Sequence, residues 1–178
     1  MLTASVDQRR GAELAVEHLL GLGHREILHV AGPMDWLDAR GRERGWRAAL
    51  EAADIEPRPF VVGDWTADSG FAVARDSLDP ADFTAVFCAN DQMALGVLHG
   101  LSARGVRVPE DVSIVGFDDL PEARHFRPAL TTVRQDFETL GKRTVEAIIS
   151  AIEGGHPNVR TVIEPELIVR ESTMRARS

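Results

Sequence analysis

Between Thr84 and Leu120 the chain reads TAVFCANDQMALGVLHGLSARGVRVPEDVSIVGFDDL. Two apolar runs in it, Thr84–Ala89 and Val112–Phe117, are too short for helices and rich in β-branched and aromatic residues. That combination predicts strands buried on both faces, as in a parallel sheet. Between them, Met93, Leu95, Val97, Leu98 and Leu101 outline a helix. Asn90 or Asp91 supplies its N-cap oxygen, and Gly105 its left-handed stop. Strand, helix and strand make one βαβ unit. Both strands end in polar residues, Asn90 and Asp118–Asp119. Open parallel sheets bind ligands outside the carboxyl ends of their strands. Asn90 and Asp118 are therefore candidate ligand contacts on physical grounds alone.

The rest of the chain repeats this alternation. A helix from Asp7 or Gln8 to Leu22 stops at Gly21 and Gly23, and a strand follows at Glu26–Ala31. A helix runs from Asp38, a possible N-cap, to about Ala53. Phe60–Val62 is a short strand, and Thr66–Ser69 opens a helix to about Leu78 that Asp79-Pro80 breaks. After the central unit come a turn or short helix at Leu120–Phe126, a strand at Thr131–Arg134 and a helix at Phe137–Glu153. A loop at Gly154–Pro157 leads to strands at Thr161–Ile163 and Glu166–Val169, interrupted by Pro165. Alternating βα units of this length imply an α/β fold: a doubly wound, mainly parallel sheet in an αβα sandwich.

Composition narrows the function. A net charge of −8 argues against a surface that grips nucleic acid, because phosphate neutralisation needs clustered Lys and Arg. The single cysteine, Cys88, sits in an apolar run and reads as a small buried hydrophobe. No apolar run approaches the ~18 residues of a membrane span, and Met1–Val6 lacks the basic start and apolar core of a signal peptide. A cytoplasmic protein with no membrane partner is the expectation. The six histidines show no metal-ligand spacing, no serine sits in a G-x-S-x-G elbow, and no G-x-G-x-x-G follows a strand. The expectation is no enzyme, no metal and no cofactor.

Several stretches together carry a family resemblance: TAVFCANDQMALG, RVPEDVSIVGFDD, PALTTVRQDFETLG at Pro128–Gly141 and VIEPELIVRESTM at Val162–Met174. From about Val6 onward the chain resembles the effector-binding domain of LacI/GalR-type bacterial transcription repressors. The resemblance implies a type I periplasmic-binding-protein-like fold, in which two lobes joined by three chain crossings close on a ligand. It implies that residues 1–134 form the C-terminal lobe, that 135–162 belong to an N-terminal lobe otherwise missing, and that 163–178 return to the C-terminal lobe. It also implies that this chain holds no DNA-binding domain, so that operator DNA would be reached only through an absent helix-turn-helix. The implied function is ligand sensing and dimerisation for a repressor, with a small, sugar-like effector. A solute-binding protein of a transporter shares the fold and is the alternative. An upstream helix-turn-helix or signal peptide would separate the two.

The resemblance also assigns roles. Asp118 matches an aspartate that accepts hydrogen bonds from the effector, and an ionised carboxylate suits a vicinal diol. Arg42 matches an arginine that points into the cleft, whose planar donors suit adjacent sugar oxygens or a carboxylate. Trp65 matches a stacking aromatic, suited to the C–H face of a sugar. Asn90 offers a donor and an acceptor, although capping competes for it. Asp38 lines the cleft in the family or caps its helix. Gln135 and Phe137, at the second crossing, match hinge and cleft residues, and Trp36 borders the cleft. Asp119 reads as a cap. A homodimer is expected through Leu95, Leu98, His99, His125 and Phe126. The helix after Gln135 carries a stripe of Leu140, Thr144, Ile148 and Ile152, with Val145 and Ile149 beside it, expected to fold back on its own lobe or pack on another copy.

Overall fold

The structure, a computed structural model, describes residues 3–79, 81–153 and 160–177. The elements in order are β1 (Thr3–Val6), α1 (Gln8–Gly21), β2 (Ile27–Ala31), α2 (Leu37–Ala52), β3 (Val61–Val62), α3 (Ala67–Asp76) and β4 (Ala85–Cys88). There follow α4 (Asp91–Ala103), β5 (Ser113–Asp118), a 3-10 helix (Pro121–His125), β6 (Thr131–Arg134), α5 (Phe137–Ile152), β7 (Arg160–Ile163) and β8 (Glu166–Ile168). Six strands form one sheet in the order β3-β2-β4-β5-β6-β8, parallel except for the edge strand β8. The doubly wound α/β architecture is present as expected.

The apolar runs explain the layers. β4 is buried along its whole length, because helices cover both faces of the sheet. On one face α1 and α2 pack Leu19, Trp46 and Leu50 against Phe87 and Phe117. On the other, α3 and α4 pack Val73, Met93, Val97 and Leu101 against Val86 and Ile114. Gly105 adopts φ +75, the left-handed conformation that ends α4. Each strand of the parallel core points its carboxyl end the same way, and that end carries the site.

Three expectations need correction. Asp38 is not the cap of α2: Trp36 occupies the N-cap position with no side-chain hydrogen bond, and Asp38 lies in the first turn. A carboxylate there still favours the helix, since it faces the positive end of the dipole. The strands of residues 3–134 do not all share one sheet either. Thr3–Val6 pairs with Arg160–Ile163 in a separate two-stranded sheet, so the six-stranded unit begins after Val6. Nor does the stripe on α5 fold back onto the chain. No residue of α5 is buried, and Ile152 is 80% exposed. Among the described residues the helix packs mainly on β1 and β7, too narrow a surface to cover four turns of helix. The expected loop at Gly154–Pro157 lies outside the described residues.

Candidate functional site

The carboxyl ends of β3, β4, β5 and β6 are followed by Trp65, Asn90, the Asp118–Asp119 corner and Gln135. The start of α2 brings Asp38 and Arg42 over them, and the start of α5 brings Phe137. These residues except Asp119, together with Trp36, line one cleft of about 320 Å³. All seven candidate ligand residues thus meet in one place.

The backbone is held in unusual conformations here. Trp65 has φ +76, Asp118 φ +113 and Asp119 φ +53, a region that side chains other than glycine seldom adopt. Such strain collects at functional sites. Asn90 lines the cleft and takes the capping role, with both side-chain polar atoms engaged within the chain. Its Oδ1 accepts from Met93 N at 2.8 Å and caps α4, while its Nδ2 donates to Trp65 O at 3.0 Å and straps down the loop after β3. The Trp65 indole lies across Gly32, where a Cβ would come within 2.2 Å of the ring. Trp36 stands edge-on to it, with centroids 6.1 Å apart at 75°. The Trp65 indole nitrogen is buried without a hydrogen-bond partner among the described residues. Trp36 and Phe137 are more than half exposed, so the cleft has an aromatic floor and two aromatic rims.

Arg42 is 4% exposed, and most of its donors are already engaged. Nε donates to Gln8 Oε1 at 2.8 Å, Nη1 donates to the Ala89 carbonyl, and Nη2 lies 3.4 Å from Asp118 Oδ1. Its guanidinium carbon sits 3.9 Å above the Phe117 ring. Burial pulls the Arg42 pKa down, and the Asp118 carboxylate opposes this. Asp118 shows the mirror image: burial raises its pKa, and Arg42 and the Gln135 amide oppose. Gln135 Nε2 donates to Asp118 Oδ1 at 2.7 Å. Both contacts therefore fall on Oδ1, and Oδ2 has no partner among the described residues.

Two residues of the site escaped the sequence. Gln8 links Arg42 to Gln135, donating from Nε2 to Gln135 Oε1 at 2.7 Å. As a lone polar residue at a helix start it carries no recognisable signal. Asp91 is fully buried beneath the corner: Oδ1 accepts from Thr132 Oγ1 at 2.5 Å, and Oδ2 from Leu120 N at 2.8 Å. Burial pushes its carboxyl up to about 7, against the opposing hydrogen bonds from Thr132 and Leu120. Its position after a strand end could only suggest a cap. Asp119 is neither cap nor cleft residue. It bridges Arg134 at 2.8 Å and Arg170 at 2.5 Å, fastening the corner to β6 and the segment after β8.

Of the expected dimer residues, Leu95, His99 and His125 are exposed and Phe126 is half-buried. Leu98 departs from the expectation: it is 6% exposed and belongs to the core beneath α4, because the helix turns that position inward. A second cleft of about 280 Å³ lies at the opposite strand ends, between Glu26, Arg58 and Phe83, and holds none of the candidate residues. Among the described residues no cluster of His, Cys, Asp and Glu could hold a metal, and no helix is long and apolar enough to cross a membrane. Burial pushes the Cys88 thiol up, as for an inert core side chain.

Comparison with known proteins places this geometry. A family described as a periplasmic binding protein-like domain matches residues 16–173. The lactose operon repressor of Escherichia coli (strain K12) is 38% identical over 165 residues, covering 92% of this chain and 46% of that protein. The HTH-type transcriptional regulator CelR of Thermobifida fusca is 43% identical over 171 residues, covering 94% of this chain and 50% of that protein. The chain spans about half the length of the curated relatives it matches. A solved structure of the dimeric lac repressor with an 11-residue C-terminal deletion aligns with a TM-score of 0.93 at 35% identity, over 98% of this chain and 64% of that one. A complex of the regulator CelR with cellobiose aligns with a TM-score of 0.90 at 41% identity, over 95% and 53%. On its strand order, its cleft and these relatives, the chain belongs to the periplasmic binding protein-like domain family, as an effector-binding domain of the LacI/GalR type.

Proposed function

We propose that this chain is the ligand-sensing part of a LacI-type transcription repressor, working in the cytoplasm, and that its effector is an uncharged, sugar-like polyol. The observation that carries the reading is the convergence of all seven candidate residues on one cleft at the carboxyl ends of the strands. The charge pattern supports a neutral ligand. Arg42, the one cation in the lining, is paired with Asp118 and engaged elsewhere, which leaves Asp38 and the free Oδ2 of Asp118 facing any incoming anion. Carboxylate acceptors beside aromatic faces suit hydroxyls and C–H surfaces of a pyranose. A relative of the same architecture is known in complex with cellobiose.

The cleft is read as a binding site without turnover: among the described residues no group of His, Cys, Asp and Glu could hold a metal, and the lining offers no serine or cysteine nucleophile. DNA would be gripped by a separate helix-turn-helix unit, with the effector changing the geometry that reaches it. The two copies of a dimer would meet through Leu95, His99, His125 and Phe126, a self-complementary patch of the kind a twofold axis requires. Calorimetric titration and tryptophan fluorescence test the reading. Cellobiose or a monosaccharide should give a saturable signal, while a sugar phosphate and a purine should not. Asp118→Ala should weaken the sugar at least ~10-fold, about 1.4 kcal/mol. A saturable purine signal with no sugar response would overturn the assignment.

A further inference from the structure

We propose that Gln8, which lies outside the cleft lining, is the positioning residue for the effector-binding carboxylate of Asp118. The inference rests on the reading of the cleft as the effector site. Four side chains form a closed ring. Arg42 Nε donates to Gln8 Oε1, Gln8 Nε2 donates to Gln135 Oε1, and Gln135 Nε2 donates to Asp118 Oδ1, whose oxygen also faces Arg42 Nη2. The ring has a fixed direction. Arginine offers only donors and a carboxylate only acceptors, so each glutamine amide fits in one orientation. Gln8 must turn its oxygen to Arg42 and its NH2 to Gln135. That forces Gln135 to turn its own NH2 to Asp118. A donor is thereby aimed at Oδ1 and the other carboxylate oxygen is left for a ligand.

Gln8 is itself well held. It opens α1, and its Cβ packs against Gly41 of α2, where an added Cβ would lie only 2.8 Å away. Asp118 needs such external support, because its backbone sits at φ +113. The ring also has a mechanical consequence. Gln8 follows the passage from β1 to α1, and Gln135 lies in the passage from β6 to α5, both running between the two sheets. Next to Gln8, Asp7 N donates to Ile163 O at 3.0 Å in the third passage. A ligand that turns Asp118 therefore acts on all three passages through Gln8.

Isotope-edited NMR on the chain labelled with 15N and 13C tests this, with cellobiose as the probe. In the wild-type protein the Gln8 side-chain amide should move with the same midpoint as the Trp65 indole N–H. Gln8→Met keeps the length of the side chain and removes both hydrogen bonds. Asp118 should then titrate at higher pH, because the Gln135 donor and the Arg42 charge that oppose its burial are no longer fixed. The cellobiose midpoint should rise about tenfold. Gln135→Met should shift the Asp118 titration in the same direction, and the double variant should shift it by less than the sum, as two members of one ring require. An unmoved Asp118 titration in Gln8→Met overturns the proposal, even if the variant is less stable. So do additive shifts, or a Gln8 amide that stays still while Trp65 moves. If no wild-type signal responds to cellobiose or any other sugar, the sugar reading fails separately, and the Asp118 titrations still decide the role of Gln8.

Discussion

Trp65 and the Asp118–Asp119 corner show how single residues carry this site under strain. Trp65 keeps its place because position 32 is glycine. Gly32→Ala should push the indole off the strand end and cost ~1–3 kcal/mol in urea denaturation, with loss of any sugar-induced fluorescence change. Asp119 is held by two arginines. Burial alone would raise its carboxyl, but hydrogen bonds from Arg170 and Arg134 outweigh this and leave it below its ordinary value. Its contribution is fully present above the unfolded pKa and is lost as pH falls through the folded one. Asp119→Ala should destabilise by ~3 kcal/mol, because Arg170 is left largely buried without its partner. Asp91 behaves in the opposite sense. Burial raises its carboxyl from 3.8 to about 7, so stability falls as pH rises between those values. Asp91→Asn keeps an acceptor for Leu120 N and a donor for Thr132. It should gain ~1–2 kcal/mol at pH 8, the burial cost being offset in part by the helix amides around it. His29, fully buried against Phe87, is lowered from 6.5 to about 4. It removes stability as pH falls across that window. In the wild-type protein it opposes Asp91 there, and in Asp91→Asn the acid destabilisation should be larger.

Helices α4 and α5 are both amphipathic in sequence yet meet different fates. α4 lies on a sheet of six strands and buries Met93, Val97, Leu98 and Leu101 completely or nearly so. α5 meets two strands, and Val145, Ile148, Ile149 and Ile152 remain about half exposed or more. An amphipathic pattern states that a face wants burial, and the size of the neighbouring surface decides whether it gets it. Replacing Ile148 and Ile152 by Glu should therefore change the unfolding free energy by no more than ~0.5 kcal/mol. A larger loss in chemical denaturation would mean that this face is covered in solution.

For the whole molecule, assembly and the completeness of the cleft set the behaviour. Phe126→Asp should convert a dimer to a monomer by light scattering, while circular dichroism shows the fold retained. A persistent dimer removes this patch from consideration. The chain spans about half the length of its curated relatives, and on the two-lobed reading of the proposed function a ligand is held from both sides. A cleft completed from the other side would gain several kcal/mol of contact and exclude more water, and each 1.4 kcal/mol is tenfold in affinity. Sugar binding to this chain alone is therefore expected in the millimolar range. It should tighten by orders of magnitude in a protein of the relatives' full length, as calorimetry on both would show.

What was legible in the sequence was whatever local pattern decides. Short apolar runs between helix-period segments marked the strands and their parallel order, and Gly105 marked a helix end. Residues just past strand ends marked the cleft, because a parallel sheet delivers them to one edge whatever else the chain does. Asn90 and Asp118 belong to that class, whereas Trp65 was marked through the family resemblance. What only the tertiary structure decided depends on residues distant in sequence. Gln8 matters because it lies between Arg42 and Gln135, Asp91 because the corner folds over it, and Asp119 because Arg134 and Arg170 arrive from elsewhere. The membership of Thr3–Val6 in a second sheet, the inward turn of Leu98 and the bare face of α5 likewise follow from which surfaces meet. Periodicity gives each element its apolar side, but only packing assigns that side a partner.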